Sequence, residues 1–235
     1  FNGNLFELDN EKNCNNLTED VFRLLEIFIS GTEEMENGQI SLFPVYDFNI
    51  IPVELISNIY EILLGEKAQK KDKAFYTPEY LVDYMVKETI SPHLTNGIQI
   101  KVLDPACGSG VFLVQVLRNI LDLYVDENGY INDNYKLISI VKNVIYGIDL
   151  NSEAIDITIF SIYLTLFDYK NPKSLNGFKL PDLKNSNLFV SDFFDDNKLS
   201  ELRKISFDFI IGNPPWGSIK EGKHIEYCKE KRINN

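Results

Sequence analysis

Four short apolar runs, each closing on an aspartate or an asparagine, recur between residues 98 and 213, and this recurrence constrains the fold more than any other feature of the chain. They are Ile98 to Leu103 before Asp104, Asn143 to Ile148 before Asp149, Asn187 to Ser191 before Asp192, and Phe207 to Gly212 before Asn213. Stretches with helical periodicity lie between them, notably Val111 to Tyr124 and Glu153 to Leu166. Buried strands alternating with helices build a parallel sheet, because each parallel connection has to cross the sheet and a helix is the usual crossing. The expected fold is therefore α/β, a doubly wound and mainly parallel sheet of at least four strands. Its strand-end polar groups would line the edge where such sheets bind ligands.

The turn after the first run reads Asp104-Pro105-Ala106-Cys107-Gly108-Ser109-Gly110. Gly108 and Gly110 let the backbone approach a ligand closely, as in the first turn of nucleotide-binding sheets. Leu113 takes the place of the third glycine of the dinucleotide fingerprint, and Asp104 stands where a pyrophosphate would be repelled. A carboxylate there suits a ligand with an ammonium and a sulfonium, so the expected cofactor is S-adenosylmethionine rather than NAD. Asp149 ends the second run, the position that binds ribose hydroxyls in this topology. It lies 45 residues beyond Asp104, against roughly 20 in a simple unit, which predicts an insertion. The turn Asp126-Glu127-Asn128-Gly129 and a helix through Leu137 to Val141 are its expected content. Asp192, ending the third run, is placed to accept from the amino group of the cofactor's adenine.

The fourth run ends in Asn213-Pro214-Pro215-Trp216. Two prolines remove two backbone donors and fix two φ angles, so the strand stops and leaves a tip of acceptors. The Asn213 amide oxygen and the Pro214 carbonyl can accept both hydrogens of an exocyclic amine, and Trp216 offers a flat face to a planar base. An aromatic amine is a poor nucleophile because its lone pair is delocalised. Two acceptors that hold it near tetrahedral geometry stabilise the charge developing on nitrogen during methylation.

Upstream, Phe75-Tyr76-Thr77-Pro78-Glu79 precedes an apolar-periodic run from Tyr80 to Ile90. Thr77 as N-cap, Pro78 at the first helical position and Glu79 in the first turn predict a helix start.

Taken in order from Phe75 to Trp216, these motifs resemble the amino-terminal part of gamma-class DNA adenine-N6 methyltransferases, closest to the modification modules of Type IIG and Type I restriction-modification systems. The resemblance covers about residues 53 to 217. It implies methyl transfer from S-adenosylmethionine to an adenine flipped out of duplex DNA. It also implies that Tyr76 and Thr77 cover the methionine end of the cofactor and Asp104 meets its amino group. Ala106, Gly108 and Gly110 belong to that turn. Asp149 would hold the ribose and Asp192 the adenine, Leu150 and Phe193 would also bind the cofactor, and Asn213, Pro214 and Trp216 would hold the target base. Family members continue through further strands and a target-recognition domain or specificity subunit, whereas only residues 218 to 235, a polar Lys-rich stretch, follow Gly217 here. The chain, which opens on Phe1, is accordingly expected to be a piece inactive by itself. The same acceptor tip serves glutamine methyltransferases and RNA guanine-N2 methyltransferases, and a non-catalytic binding or assembly module is the other alternative.

The expected division is an acidic helical subdomain and linker over 1–72, a cofactor-binding core over 73–217 and a polar, flexible tail over 218–235. The net charge of −12 is concentrated in the first part, where residues 1–72 hold 14 acids against 5 bases. Its clearest helices are Thr18 to Ile29 and Pro52 to Leu64, stopped by Gly65, and Lys67, Lys70, Lys71 and Lys73 form a basic linker. Cys14, Cys107 and Cys228 have neither disulfide nor zinc spacing, so a reducing cytoplasm is expected. His93 and His224 are too far apart for a metal site and are expected at the surface. No apolar run reaches the ~20 residues of a membrane span.

Overall fold

The computed structural model describes residues 77–95, 100–175, 177–215 and 223–231. The expected helices within residues 1–76, the basic linker, Tyr76 and Trp216 lie outside the described residues. In chain order the elements are α1 (Glu79–Thr89), β1 (Val102–Asp104), α2 (Val111–Leu121), α3 (Asn134–Val144), β2 (Ile145–Asp149), α4 (Ser152–Asp168), β3 (Leu188–Val190), β4 (Phe209–Ile210) and α5 (Lys223–Glu230).

The four strands form one sheet in the order β3-β2-β1-β4, and every neighbouring pair is parallel. Val102 sits beside both Ile145 and Phe209, and Asp149 beside Val190. The chain moves outward from β1 through β2 to β3 and then returns to the other side of β1. The order therefore reverses between β1 and β4, and sheets of this kind bind their ligands in the crevice at such a reversal. Asp104 and Asn213 stand at the carboxyl ends of those two strands.

Side chains alternate between the two faces. Val102, Ile145 and Leu188 pack under α1 to α4 with Val82, Leu113, Leu117, Val141, Ile155 and Ile159 in one continuous core. Leu103, Tyr146 and Ile148 point the other way, against Leu199, Leu202, Ile205 and Phe207. The second face is thus covered, among the described residues, by an irregular segment containing a single turn of 3-10 helix at Leu202–Lys204.

Local chemistry sets the helix starts. Asp133 caps α3 by accepting from the backbone N–H groups of Tyr135 and Lys136, and Asn151 caps α4 by accepting from Glu153, each a contact worth about 1 kcal/mol. α1 departs from expectation: Pro78 is the N-cap, with ψ of 136° and no side-chain cap bond, so Thr77 lies one residue outside the helix. The Thr77 hydroxyl is engaged elsewhere, as described below. Strands are shorter than their apolar runs. Asn143 and Val144 belong to the insertion helix α3, which runs directly into β2. The Asn143 side chain donates back one turn to the Ser139 carbonyl, a helical contact. Buried Asn187 locks this junction by donating to the carbonyls of Lys142 and Ile145 at 2.9 and 2.8 Å.

Beyond Gly217, α5 occupies part of the expected tail, and its Tyr227 ring lies 5.4 Å from that of Phe194. His224 is half-buried and faces Phe194 at 6.1 Å, and His93 is exposed and tilted against Phe209. Among the described residues no helix is long and apolar enough to cross a membrane, and no cluster of residues could hold a metal ion.

Candidate cofactor and acceptor site

Asp104 is only 1% exposed. Its Oδ1 accepts the Ala106 N–H at 3.0 Å, while the buried Oδ2 has no hydrogen-bond partner. Gly212, just past the end of β4, presses on the same carboxylate: a Cβ at that position would lie 2.3 Å from Oδ1. Burial pushes the Asp104 carboxyl up to about 7 against the lowering effect of the Ala106 N–H, and the Asp149 charge adds to the rise. A buried carboxyl with an orphaned oxygen is costly unless a donor reaches it.

Asp149 closes the turn from the next strand. Its Oδ2 accepts the Gly108 N–H at 2.9 Å and its Oδ1 the Asn151 N–H at 2.8 Å. One carboxylate therefore ties the turn after β1 to the cap of α4. Gly110 ends that turn with φ of +87°, a conformation open to glycine, and a Cβ on it would meet the Thr158 side chain at 2.7 Å. Thr158 in turn donates to the Gly108 carbonyl at 2.8 Å. The direction a Gly108 side chain would take is open, which leaves room for a ligand against the backbone. Cys107 fills the underside of the turn. Its thiol is pushed well up by burial and by the Asp104 and Asp149 charges, so it is held as a packing group rather than a nucleophile.

Asp192 makes a local turn, accepting the Phe194 N–H at 2.9 Å. Phe193 is half-buried, with the Arg203 guanidinium stacked 4.5 Å from its ring centre, and Arg203 also donates to the Phe193 carbonyl. Leu150 is 73% exposed beside Asp149. Pro214 is exposed at the tip, and Asn213, half-buried, donates from Nδ2 to the Thr77 hydroxyl at 3.0 Å. That bond joins the helix-start motif to the acceptor tip across 136 residues of sequence.

The structure thus gathers Thr77, Asp104 and Asn213 around the strand reversal, with Ala106, Gly108, Gly110 and Asp149 alongside and Asp192 two strands away. Two contributors escaped the sequence reading. Thr158 carried little signal, because Ser161 and Thr165 are buried polar residues of the same helix. Gly212 carried little, since a glycine before a Pro-Pro strand end reads as ordinary turn chemistry.

A parallel α/β sheet whose strand order reverses beside a buried carboxyl and an amide tip has the layout in which such sheets bind ligands. The chain belongs to the N-6 DNA methylase family, whose model matches residues 52–233. It is 27% identical over 220 residues to the type II restriction enzyme and methyltransferase RM.Eco57I of Escherichia coli, covering 73% of this chain and 22% of that protein. It is 35% identical over 190 residues to the adenine-specific methyltransferase BrxX of Escherichia coli O9:H4 (strain HS), covering 60% of this chain and 15% of that one. The solved DrdV–DNA complex covers 74% of this chain and 18% of its own at a TM-score of 0.48 and 16% identity. The chain spans less than a quarter of the length of these relatives.

Proposed function

We propose that this chain is the cofactor-binding and catalytic core of a restriction-modification DNA methyltransferase, which methylates N6 of an adenine flipped out of duplex DNA. The observation that carries the reading is the buried, half-satisfied Asp104 carboxylate pressed against Gly212, one residue before the Asn213 tip. A site for a cationic cofactor and a site for an amine are thereby adjacent. S-adenosylmethionine, when bound, supplies the methyl group.

The protein's own part is to bind and orient. Asp104 takes the ammonium, Tyr76 and Thr77 cover the methionine end, and the backbone of Ala106, Gly108 and Gly110 lines the floor. Asp149 and Leu150 hold the ribose, and Asp192 and Phe193 the adenine. Asn213 Oδ1 and the Pro214 carbonyl accept the target amine's two hydrogens, and Trp216 stacks on the base. Those acceptors hold the amine nitrogen in position and stabilise its growing positive charge without a strong base. The target has to leave the duplex because neither its face nor its amine is accessible within the stack. A target-recognition domain or specificity subunit is the partner that would grip the duplex.

The test is methyl transfer by the full-length gene product from tritiated S-adenosylmethionine to duplex DNA, followed by nucleoside analysis. Label in N6-methyladenine supports the reading. Label in protein glutamine or in RNA guanine would replace it.

Two further results are expected of the chain itself. Asp104 has an unfolded value of 3.8 and a folded value of about 7, so the folded protein holds an extra proton between those pH values. Its contribution to stability is full below about pH 4 and is lost as pH rises towards 7. A bound ammonium reverses the preference and expels that proton. Calorimetry in buffers of different ionisation heat should therefore show release of about one proton per cofactor at pH 6, and binding should tighten from pH 6 to pH 7, below the ordinary range of the cofactor's α-amino group. Binding with no proton release at pH 6 would remove Asp104 from the ammonium seat. Separately, Asp149→Ala is expected to weaken S-adenosylmethionine binding by about 1–3 kcal/mol, the cost of losing hydrogen bonds to a charged group. Unchanged affinity in the same titration would sink the ribose assignment.

A further inference from the structure

The Asn213 amide can act on an amine only while its oxygen, and not its NH2 group, faces the target. The two ends of an amide are nearly equal in size, and rotation about the last side-chain bond of asparagine is a broad, twofold torsion. Shape alone therefore does not choose the useful orientation. An amide turned the wrong way would set its donors against the donors of the target.

We infer that Thr77 is a positioning residue for Asn213, in addition to any contact it makes with cofactor; this rests on the reading proposed above. Asn213 Nδ2 donates to Thr77 Oγ1 at 3.0 Å, which holds the amide plane with Oδ1 directed away from Thr77. Thr77 is well placed to be a fixed anchor. It is 8% exposed, it precedes the rigid ring of Pro78, and α1 begins at Glu79 with Val82 and Val86 fully buried in the core. Thr77 lies outside the helix, whose N-cap is Pro78, and its hydroxyl accepts from the tip. The tip is anchored from the other side, because the Ile211 N–H donates to the Leu103 carbonyl on β1 at 3.0 Å. Asn213 thus stands between a strand and a helix start, with the Thr77 hydroxyl as one of its restraints.

The experiment compares Thr77→Val, which keeps the shape and removes the hydroxyl, with Thr77→Ser, which keeps the hydroxyl. In the full-length gene product, with cofactor and DNA saturating, Thr77→Val is expected to slow single-turnover transfer roughly tenfold or more. The loss should persist with cofactor saturating, and Thr77→Ser should restore most of the rate. In an Asn213→Ala background, Thr77→Val should slow transfer no further, since the group it positions is gone. A loss confined to cofactor affinity, or an effect of equal size with and without Asn213, would overturn the positioning role. The contact has a readout independent of turnover. The side-chain amide protons of Asn213, observed by NMR in the cofactor-free chain, should shift and exchange faster in Thr77→Val but not in Thr77→Ser. Unaltered amide signals would refute the inference, whereas absence of adenine methylation by the wild type would refute only the proposed reaction.

Discussion

Replacing Asn213 by alanine is expected to cut methyl transfer by roughly 10²–10³-fold, the usual cost of removing one preorganised group that stabilises transition-state charge. Cofactor affinity should fall far less, because the acceptor acts on the amine nitrogen as it becomes positive, a charge that does not exist in the cofactor complex. Asn213 sits beyond the end of β4, and its neighbours Pro214 and Pro215 are exposed, so truncating it removes little packing. Single-turnover rates with the full-length gene product, set beside calorimetric cofactor titrations, separate the two quantities. Near-normal turnover on adenine in this variant would show that the tip is a strand terminator and not a catalytic group.

Gly212→Ala is the second large effect, and its cause is steric. The added Cβ would lie 2.3 Å from Asp104 Oδ1, inside any contact that carbon and oxygen tolerate. Neither partner yields easily. The Asp104 oxygen is held by the Ala106 N–H, and the strand leading to Gly212 is fixed by the Ile211 bond to Leu103. Overpacking of this kind costs about 1–3 kcal/mol, which in a domain of this size lowers the melting temperature by several degrees. Cofactor binding should suffer as well, because the displaced carboxylate is the ammonium seat. Adding Asp104→Ser should recover stability, since the shorter side chain clears the new methyl, yet leave binding weak. Thermal melts and titrations of the single and double variants provide the check, and a Gly212→Ala protein with wild-type stability and affinity would contradict the packing described here.

The helices were legible because their signals are local. Glu153 to Leu166 reads as helical from periodicity alone, and α4 spans Ser152–Asp168 with Asn151 as its cap. Strand boundaries were less legible. Asn143 and Val144 directly precede the apolar run before Asp149, but they belong to the helix, which continues until the sheet pairing begins at Ile145. Thr77 shows the same limit in a side chain. Every local rule makes it an N-cap, and the tip of a strand 136 residues away claims its hydroxyl instead.

By itself the sequence determined the parallel α/β class, the alternation that fills both sheet faces and the placement of Asp104, Asp149, Asp192 and Asn213 at strand ends. Each of these follows from spacing, side-chain period and turn residues within a single segment. The tertiary structure alone decided that β4 lies beside β1, that Gly212 abuts the Asp104 carboxylate, and that Thr77 holds Asn213. Those are relations between segments far apart in the chain. They come into being only when the burial of a shared core brings the segments together, and no periodicity within one of them encodes its neighbour.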